Sequence, residues 1–476
     1  MLGNARVRLE NLSYKLQSSD RTTLVIVFLG LMLDNLLLTV VVPILPDYLY
    51  ELEHSSTASG NLQEQLSIDE PDDYSEYIES TSTTQRTFIA ADLLNENSRI
   101  GLLFSSKAFV QLFVNPCVGI ISGRLGYSIP SFVGLVIIFF SSVVFAIGSS
   151  YGALFFARCI QGFGSSALVI SGMGLISSRY PEEVDRSKNM GVALSGIAAG
   201  VLIGYPFGSI IYDAAGKALP FALIAICIAL LGVIQYLGLP PQANHETIHH
   251  STSSKTLLKD PYILAVVVTI CVSTSAMAIL EPCLPLWLLE TMQPEQWQLG
   301  TAFVPDSIGY FIGSSFFGVF ALRVGRWKCA IVAMIVLGLS AICIPFATHI
   351  YHLILPHFGL GIGIGVVDAS FMPLLAYLVD LRHDALYGSV FAICQIAVCL
   401  AYSLGPLLGG LIANSAGFPF LMRMVGVTNI LLSPVCLYLR HIPVDVENQA
   451  LIHRRSIQSS TSGTNAKPSN GYDVGH

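Results

Sequence analysis

The 476-residue chain is too apolar and too weakly charged for an ordinary water-soluble domain. Its sequence is 53% hydrophobic and 12% charged, with a mean hydropathy of +0.65, whereas a soluble domain carries about 25% charged residues. The net charge of −7 and the lack of a basic run argue against a nucleic-acid partner. The composition therefore predicts an all-α polytopic protein in a lipid bilayer.

Apolar runs predict twelve transmembrane helices, since about 20 apolar residues cross a bilayer core of about 30 Å. The predicted spans are 22–45, 99–122, 129–148, 151–174, 188–212, 218–239, 261–289, 297–321, 329–348, 354–379, 385–413 and 418–439. Six-helix halves are predicted at 22–239 and 261–440. The polar stretches predict an N-terminal segment at 1–21, a disordered lumenal loop at 51–97, a linker at 240–260 and a disordered tail at 441–476.

Basic residues are distributed very unevenly between the two sides of the predicted bundle. With the N-terminus in the cytosol, eighteen Lys and Arg residues fall in cytosolic segments and three on the opposite side. Cytosolic loops of membrane proteins are enriched in these two residue types. Both termini are therefore predicted to be cytosolic.

The first predicted span contains an acid that a simple anchor would not need. Asp34, followed by Asn35, lies within about twenty apolar residues, and a charge at that depth costs about 2.5–3.5 kcal/mol on insertion scales. We therefore expect Asp34 to face a polar interior and to pair with Lys107, which lies in the middle of the second span. An ion pair that only locks the two helices together is the alternative.

Two short signals occur twice, about 200 residues apart. The pattern G-x4-R-x-G follows the second span with Arg124 and the eighth span with Arg323. A Gly-Pro signal at 204–208 in the fifth span has a counterpart at 405–410 in the eleventh. Such duplication is typical of transporters built from two repeats, with the binding site between them.

Longer blocks resemble a known family. The two G-x4-R-x-G loops and RCIQGFG at 158–164 look like the major facilitator superfamily. The blocks that resemble the vesicular amine transporters are LDNLLLTVVVPILPDYLY (33–50), RIGLLFSSKAFVQLFVNP (99–116), ARCIQGFGSS (157–166), KDPYIL (259–264), LEPCLPLW (280–287) and LVDLRHDALYGSV (378–390). The monoamine branch fits better than the acetylcholine branch. The resemblance implies twelve helices in the major facilitator fold.

The same resemblance implies a function. It is that of a proton-coupled antiporter that moves a cationic amine, most simply a biogenic monoamine, from the cytosol into acidic secretory or synaptic vesicles by alternating access. The implied partners are a small cationic amine, protons and the bilayer, with no cofactor, no metal, no enzymatic activity and a monomeric chain. Another amine (acetylcholine, a polyamine or an unidentified one) or a non-transporting sensor or scaffold remains an alternative.

Substrate binding is assigned to acidic and aromatic side chains. A carboxylate at Glu281 could meet an ammonium directly, and the resemblance places it in the substrate pocket. Trp287, Tyr310 and Tyr402 would offer aromatic faces to a cation, with simple packing as the alternative for each. Asp34 and Asn35 complete the predicted substrate-binding set.

Proton coupling and gating are assigned to further charged residues. Burial favours the protonated form of Asp368 and a bound ammonium favours its ionised form, so proton and amine would compete. Arg158 matches a position associated with proton coupling in the superfamily, while a helix-end Arg reaching headgroups is the alternative. The predicted proton-coupling residues are Asp34, Lys107, Arg158, Glu281 and Asp368. The predicted gating residues are Asp380, Arg382, Arg124 and Arg323, with a structural pair as the alternative for Asp380.

Five residues depart from the pattern of the resembling family. Gln395 replaces an acid, Thr274 an Asn, Val398 an aromatic residue, Gln293 a lumenal Cys and Asp306 a small apolar residue. These changes cluster around the expected pocket. They leave the identity of the amine and the number of protons open.

Overall fold

A computed structural model of the chain describes residues 19–65, 102–239, 254–292, 298, 301–383 and 387–442. Within these residues, twelve helices are long and apolar enough to cross a membrane. The predicted all-α architecture with twelve transmembrane helices is confirmed.

The twelve helices follow the predicted spans closely. They are α1 (Asp20–Gln65), α2 (Leu102–Leu125), α3 (Ser128–Ile147), α4 (Tyr151–Arg179), α5 (Glu183–Ala215), α6 (Ala218–Gly238), α7 (Pro261–Thr291), α8 (Val304–Val324), α9 (Arg326–Cys343), α10 (Ile354–Arg382), α11 (Tyr387–Ala416) and α12 (Phe418–Leu432). Short 3-10 segments at Ile344–Phe346, Ile350–Leu353 and Ser433–Arg440 continue α9, precede α10 and continue α12.

Capping residues explain where several helices begin and end. The Ser150 hydroxyl accepts a hydrogen bond from the Ala153 amide at the start of α4, and the Asp260 carboxylate accepts one from the Tyr262 amide at the start of α7. Both are preferred N-cap residues because their side-chain oxygens satisfy free amides. Gly216, with φ of 73°, ends α5 in a conformation that glycine adopts without strain.

The first helix is longer than the sequence analysis indicates. The loop is predicted to start at residue 51, but α1 continues to Gln65. Residues 51–65 contain Glu, Leu and Gln, which favour a helix once the preceding turns have formed. The rest of the predicted loop lies outside the described residues, as do 1–18, most of the predicted linker and nearly all of the predicted tail.

The helices pack in the same pattern in both halves. In the first half α1 packs on α5, and α3 packs on α4 and α6; in the second, α7 packs on α11, and α9 packs on α10 and α12. Each pair lies six helices further along the chain, in agreement with the repeated sequence signals. The halves meet where α5 contacts α8 and α10, and where α4 contacts α11.

The contact between halves is tightest at one end of the bundle. We call this the basic end, because α2 and α8 finish there beside the exposed Arg124 and Arg323. A methyl group on Gly191 of α5 would lie 2.5 Å from the carbonyl oxygen of Ser314 in α8, and one on Gly318 would lie 2.5 Å from that of Ser187. Glycine is required here because the two backbones touch.

Candidate functional site

Asp34 lies at the centre of a polar network inside the first half. Its side chain, on α1, is buried, and the residue is only 2% exposed. The Lys107 ammonium lies 3.2 Å from Oδ2, the Ser165 hydroxyl donates to Oδ1 at 2.5 Å, and the Gln161 amide donates to Oδ1 at 3.2 Å. The pairing with Lys107 expected from the sequence is therefore present, and two helices, α2 and α4, supply three donors to one carboxylate.

Arg158 extends this network towards the second half. It is 1% exposed, and its guanidinium donates to the Gln161 side-chain oxygen at 2.8 Å. The guanidinium also lies 5.6 Å from the centre of the Phe104 ring. Its charge interacts with both Asp34 and Glu281, which belong to different halves. A buried Arg in this position does not reach headgroups, so the helix-end alternative does not describe it.

The side chain of Asn35 makes different contacts from that of its neighbour Asp34. Its side-chain amide donates to the backbone oxygen of Leu31, 2.8 Å away in the same helix. Its Cβ lies against α5, where a methyl group on Gly200 would be 3.1 Å away. Asn35 therefore contributes to the α1–α5 contact, and its predicted role in binding remains a proposal.

A second group of polar side chains lies between the halves, and we call it the carboxylate–tyrosine cluster. Its members are Glu281, Asp306, Asp368, Tyr205, Tyr310 and Tyr402. The Tyr310 hydroxyl donates to Asp368 Oδ2 at 2.8 Å, and the Tyr205 hydroxyl reaches Glu281 Oε1 at 3.5 Å. Tyr402 interacts electrostatically with all three carboxylates. The sequence-predicted residues Glu281, Tyr310, Asp368 and Tyr402 are thus brought together.

Tyr205 closes this cluster on the side away from the basic end. Its ring stacks on Phe303 with centroids 6.2 Å apart, while its hydroxyl contacts Glu281. Tyr205 belongs to α5 of the first half, and both partners belong to the second half. These contacts join the two halves on the side of the cluster that is away from the basic end.

Trp287 lies in an apolar cluster that also includes Tyr205 of the first half. It is 8% exposed, and its ring stacks on Phe418 with centroids 4.8 Å apart. Trp287 is thus engaged in packing, and Tyr310 also packs against this apolar cluster, so the role of Trp287 as a cation-binding face remains a proposal.

Charge is unbalanced in the middle of the bundle. Among the described residues, four carboxylates lie there with two basic side chains, Lys107 and Arg158. These carboxylates are Asp34, Glu281, Asp306 and Asp368. Carboxyl groups therefore outnumber basic side chains there by two, and an ionised carboxylate buried without a partner is costly. A bound cation or added protons would remove this excess.

The ion pairs between the halves lie at the basic end. Arg186 of α5 lies 2.6 Å from Asp380 of α10, and Glu183 of α5 lies 3.0 Å from Arg326 of α9. Asp380 is thus in an ion pair, as the sequence suggests, but its basic partner comes from the other half. Its sequence neighbour Arg382 instead contacts Asp260.

Arg382, Asp260 and His383 form a separate group within the second half. The Asp260 carboxylate accepts from Arg382 at 2.7 Å and is 2.8 Å from His383 Nε2. Burial alone would raise the pKa of Asp260. Hydrogen bonds from His383, Arg382 and the Tyr262 amide outweigh burial and lower that pKa to about 2. Arg382 therefore stabilises the start of α7, and its gating role, like those of Arg124 and Arg323, remains a proposal.

Several polar partners were not identified from the sequence. Gln161 and Ser165 are part of the RCIQGFGSS block, and Tyr205 is part of the repeated Gly-Pro signal, but neither signal reveals what the side chain contacts. Arg186 enters the sequence analysis only as one of the eighteen cytosolic basic residues, and Glu183 does not enter it. Of the departures from the family pattern, Gln293 lies outside the described residues.

Two halves of six helices, with buried acidic and basic side chains near their contact, define a membrane carrier built from two repeats. The model of the Major Facilitator Superfamily matches residues 24–394 and 307–460. The chain belongs to this superfamily, and within it to the vesicular amine transporter family.

The curated relatives support the narrower assignment to the vesicular amine transporter family. The chain is 45% identical to the synaptic vesicular amine transporter of Rattus norvegicus over 91% of each chain, and 39% identical to the chromaffin granule amine transporter of Homo sapiens over 96% and 95%. Identity to the vesicular acetylcholine transporter of Tetronarce californica is 35%, over 93% and 85%.

A solved structure supports the fold independently. The human organic anion transporter MFSD10 (TETRAN) superimposes with a TM-score of 0.69 over 88% of this chain and 100% of that chain, at 18% identity. At this identity the likeness concerns the fold alone.

Proposed function

We propose that this protein is a proton-coupled antiporter that loads a cationic amine into acidic secretory or synaptic vesicles. The observation that carries the proposal is that three carboxyl groups, Glu281, Asp306 and Asp368, lie together in the carboxylate–tyrosine cluster without a salt bridge among the described residues. Family membership favours an amine as the cation, and the greater identity to the amine transporters than to the acetylcholine transporter favours a biogenic monoamine.

Glu281 is the proposed primary contact for the ammonium group. The Tyr205 hydroxyl lies 3.5 Å from Glu281 Oε1, and the Arg158 guanidinium interacts electrostatically with the Glu281 carboxylate. Tyr310 and Tyr402 lie beside the carboxylates and would offer ring faces or hydroxyls to an aromatic amine. Asp368 would exchange a proton for the amine, since a buried carboxylate is neutralised by either.

The Asp34 network would link this exchange to the rest of the first half. Arg158 feels the charge of Glu281 as well as that of Asp34. When an amine or a proton neutralises Glu281, the attraction between Arg158 and Glu281 is lost. Arg158 then interacts with Asp34 and Gln161 alone. The proposed coupling is therefore electrostatic, with Arg158 between the two groups of charges.

The distribution of basic residues favours a cytosolic basic end. In that orientation both described termini of the bundle, Ser19 and Ile442, are cytosolic, and the tight contacts of α5 with α8 close the cytosolic side. Alternating access would then require these contacts and the Arg186–Asp380 pair to separate. Both charge groups are built from one chain, which supports a functional monomer.

Uptake into proteoliposomes tests the proposal. Purified protein is reconstituted with an acidic interior, and labelled monoamines are added outside. We expect accumulation that stops when the pH gradient is dissipated and that Glu281→Gln abolishes. Binding without accumulation for every amine tried would support a sensor instead, and Gln395→Asp would then show whether a missing acid is the reason. Neither binding nor uptake by folded protein would refute the proposal.

A further inference from the structure

Asp306 is a buried acid that the proposed exchange does not use. It is 8% exposed, and its Oδ1 has no hydrogen-bond partner among the described residues. A buried carboxylate oxygen without a donor is unfavourable, because water has been lost and nothing replaces it. The position therefore suits a ligand that brings its own hydrogen-bond donor.

The face of α8 that carries Asp306 points towards the cluster. Residues three and four apart lie on the same helix face, so Phe303, Asp306 and Tyr310 form one column. The two ends of the column are fixed by contacts, since Phe303 stacks on Tyr205 and Tyr310 binds Asp368. Asp306 lies between them and interacts electrostatically with Glu281.

Close helix contacts fix the position of the Asp306 main chain. Its main chain is in such close contact with Gly361 of α10 that a methyl group could not be accommodated there. Gly365 allows the same approach to Tyr310 one turn later. The α8–α10 contact thus holds the column in place.

We propose that Asp306 binds a second cationic nitrogen of the substrate, so that the site takes diamines as well as monoamines. This inference rests on the proposed amine function and narrows its ligand class. One ammonium lies at Glu281 and the second at Asp306, so that one diamine offsets both of the carboxyl groups that are in excess over Lys107 and Arg158. A monoamine offsets one, and a proton is then needed for the other.

A structural role is the main rival explanation. Asp306 lies in the first turn of α8, where a negative charge is favoured by the helix dipole. Such a role would change thermal stability when the charge is removed, without changing the preference between two amines. Selectivity therefore separates the two explanations.

The test measures binding to the purified full chain in nanodiscs by calorimetry. The probes are linear α,ω-diamines of three to six carbons, each compared with the alkyl monoamine in which one amine is replaced by methyl. We expect one diamine to bind at least about tenfold more tightly than its monoamine, as for one charged hydrogen bond. Asp306→Asn should remove that preference, so that the diamine and its monoamine bind the variant with affinities within about twofold of each other.

Asp213→Asn is the matched control, because Asp213 is an exposed acid at the far end of α5. Asp306→Ser gives a second variant if the Asn variant does not fold. Equal binding of diamines and monoamines by the wild type, or an unchanged ratio in the folded variants, overturns the inference while leaving the amine function intact. Failure of the wild type to bind any amine overturns both.

Discussion

Asp34 shows which partners a single carboxyl group can find inside a bundle of membrane helices. It has Lys107 as an ionic partner and two further donors, Gln161 and Ser165. Removing one member of a buried ion pair leaves a bare charge, which typically costs about 3–5 kcal/mol, while replacing both is far milder. Among the described residues, none of the three carboxyl groups at Glu281, Asp306 and Asp368 forms such a salt bridge, and this contrast between halves underlies the proposed site.

The Asp34–Lys107 pair yields a prediction about stability. We expect Lys107→Met to lower the free energy of unfolding in detergent by about 3–5 kcal/mol. The double variant Asp34→Asn/Lys107→Met should recover part of this loss because no charge is stranded. Thermal denaturation followed by size-exclusion chromatography provides the measurement. A double variant no more stable than Lys107→Met would contradict this explanation.

Asp260 yields a prediction about pH. Its folded-state pKa of about 2 lies below the ordinary value of 3.8, so the ionised form stabilises the fold. This contribution, about 2 kcal/mol at most, is complete above about pH 4 and disappears as the pH falls towards 2.

Asp260→Asn keeps an N-cap residue but removes the charge. We expect the variant to melt at a lower temperature than the wild type at pH 7, with the difference shrinking as the pH falls from 4 towards 2. A difference that is constant over this range would show that Arg382 and His383 do not stabilise the carboxylate.

At the scale of elements, closure of the basic end depends on the close contact between α5 and α8. Gly191 has the backbone of Ser314 against it, so even a methyl group would force the helices apart. The Arg186–Asp380 and Glu183–Arg326 pairs lie at the same end and depend on this approach.

Gly191→Val should therefore weaken closure at the basic end. Spin labels at the exposed positions 124 and 323, in a background without reactive cysteines, report the distance between α2 and α8. We expect the variant to shift the distance distribution to longer values than the wild type. Gly232→Val in α6 is the control, since nothing lies within 4 Å of a methyl group there, and an effect as large as that of Gly191→Val would contradict the prediction.

The sequence predicts elements better than it predicts the contacts between them. Long apolar runs determine the twelve spans, and the cost of a lone charge in lipid was enough to pair Asp34 with Lys107. The partner of Asp380 was not predictable in this way, because Arg186 is 194 residues away and meets it only once α5 packs on α10. The unpartnered state of Asp306 likewise depends on how α8 and α10 pack.

At the scale of the whole molecule, the two halves hold opposite balances of charge. The first half contributes Asp34 with Lys107 and Arg158, an excess of one positive charge, and the second contributes three carboxylates. The halves attract each other through Arg158 and Glu281, and any cation that enters the site competes with that attraction. Occupancy of the site and the relative position of the halves are therefore expected to be linked.

Proton release on amine binding tests this link between cation and carboxylate most directly. The purified protein is held near pH 6 in weak buffer with a pH indicator, and a monoamine is added to saturation. If amine and proton compete for the same carboxylates, binding releases protons, and Glu281→Gln and Asp368→Asn each reduce the number released. Saturable amine binding with no proton release at any pH between 5 and 8 would contradict the competition that the mechanism requires.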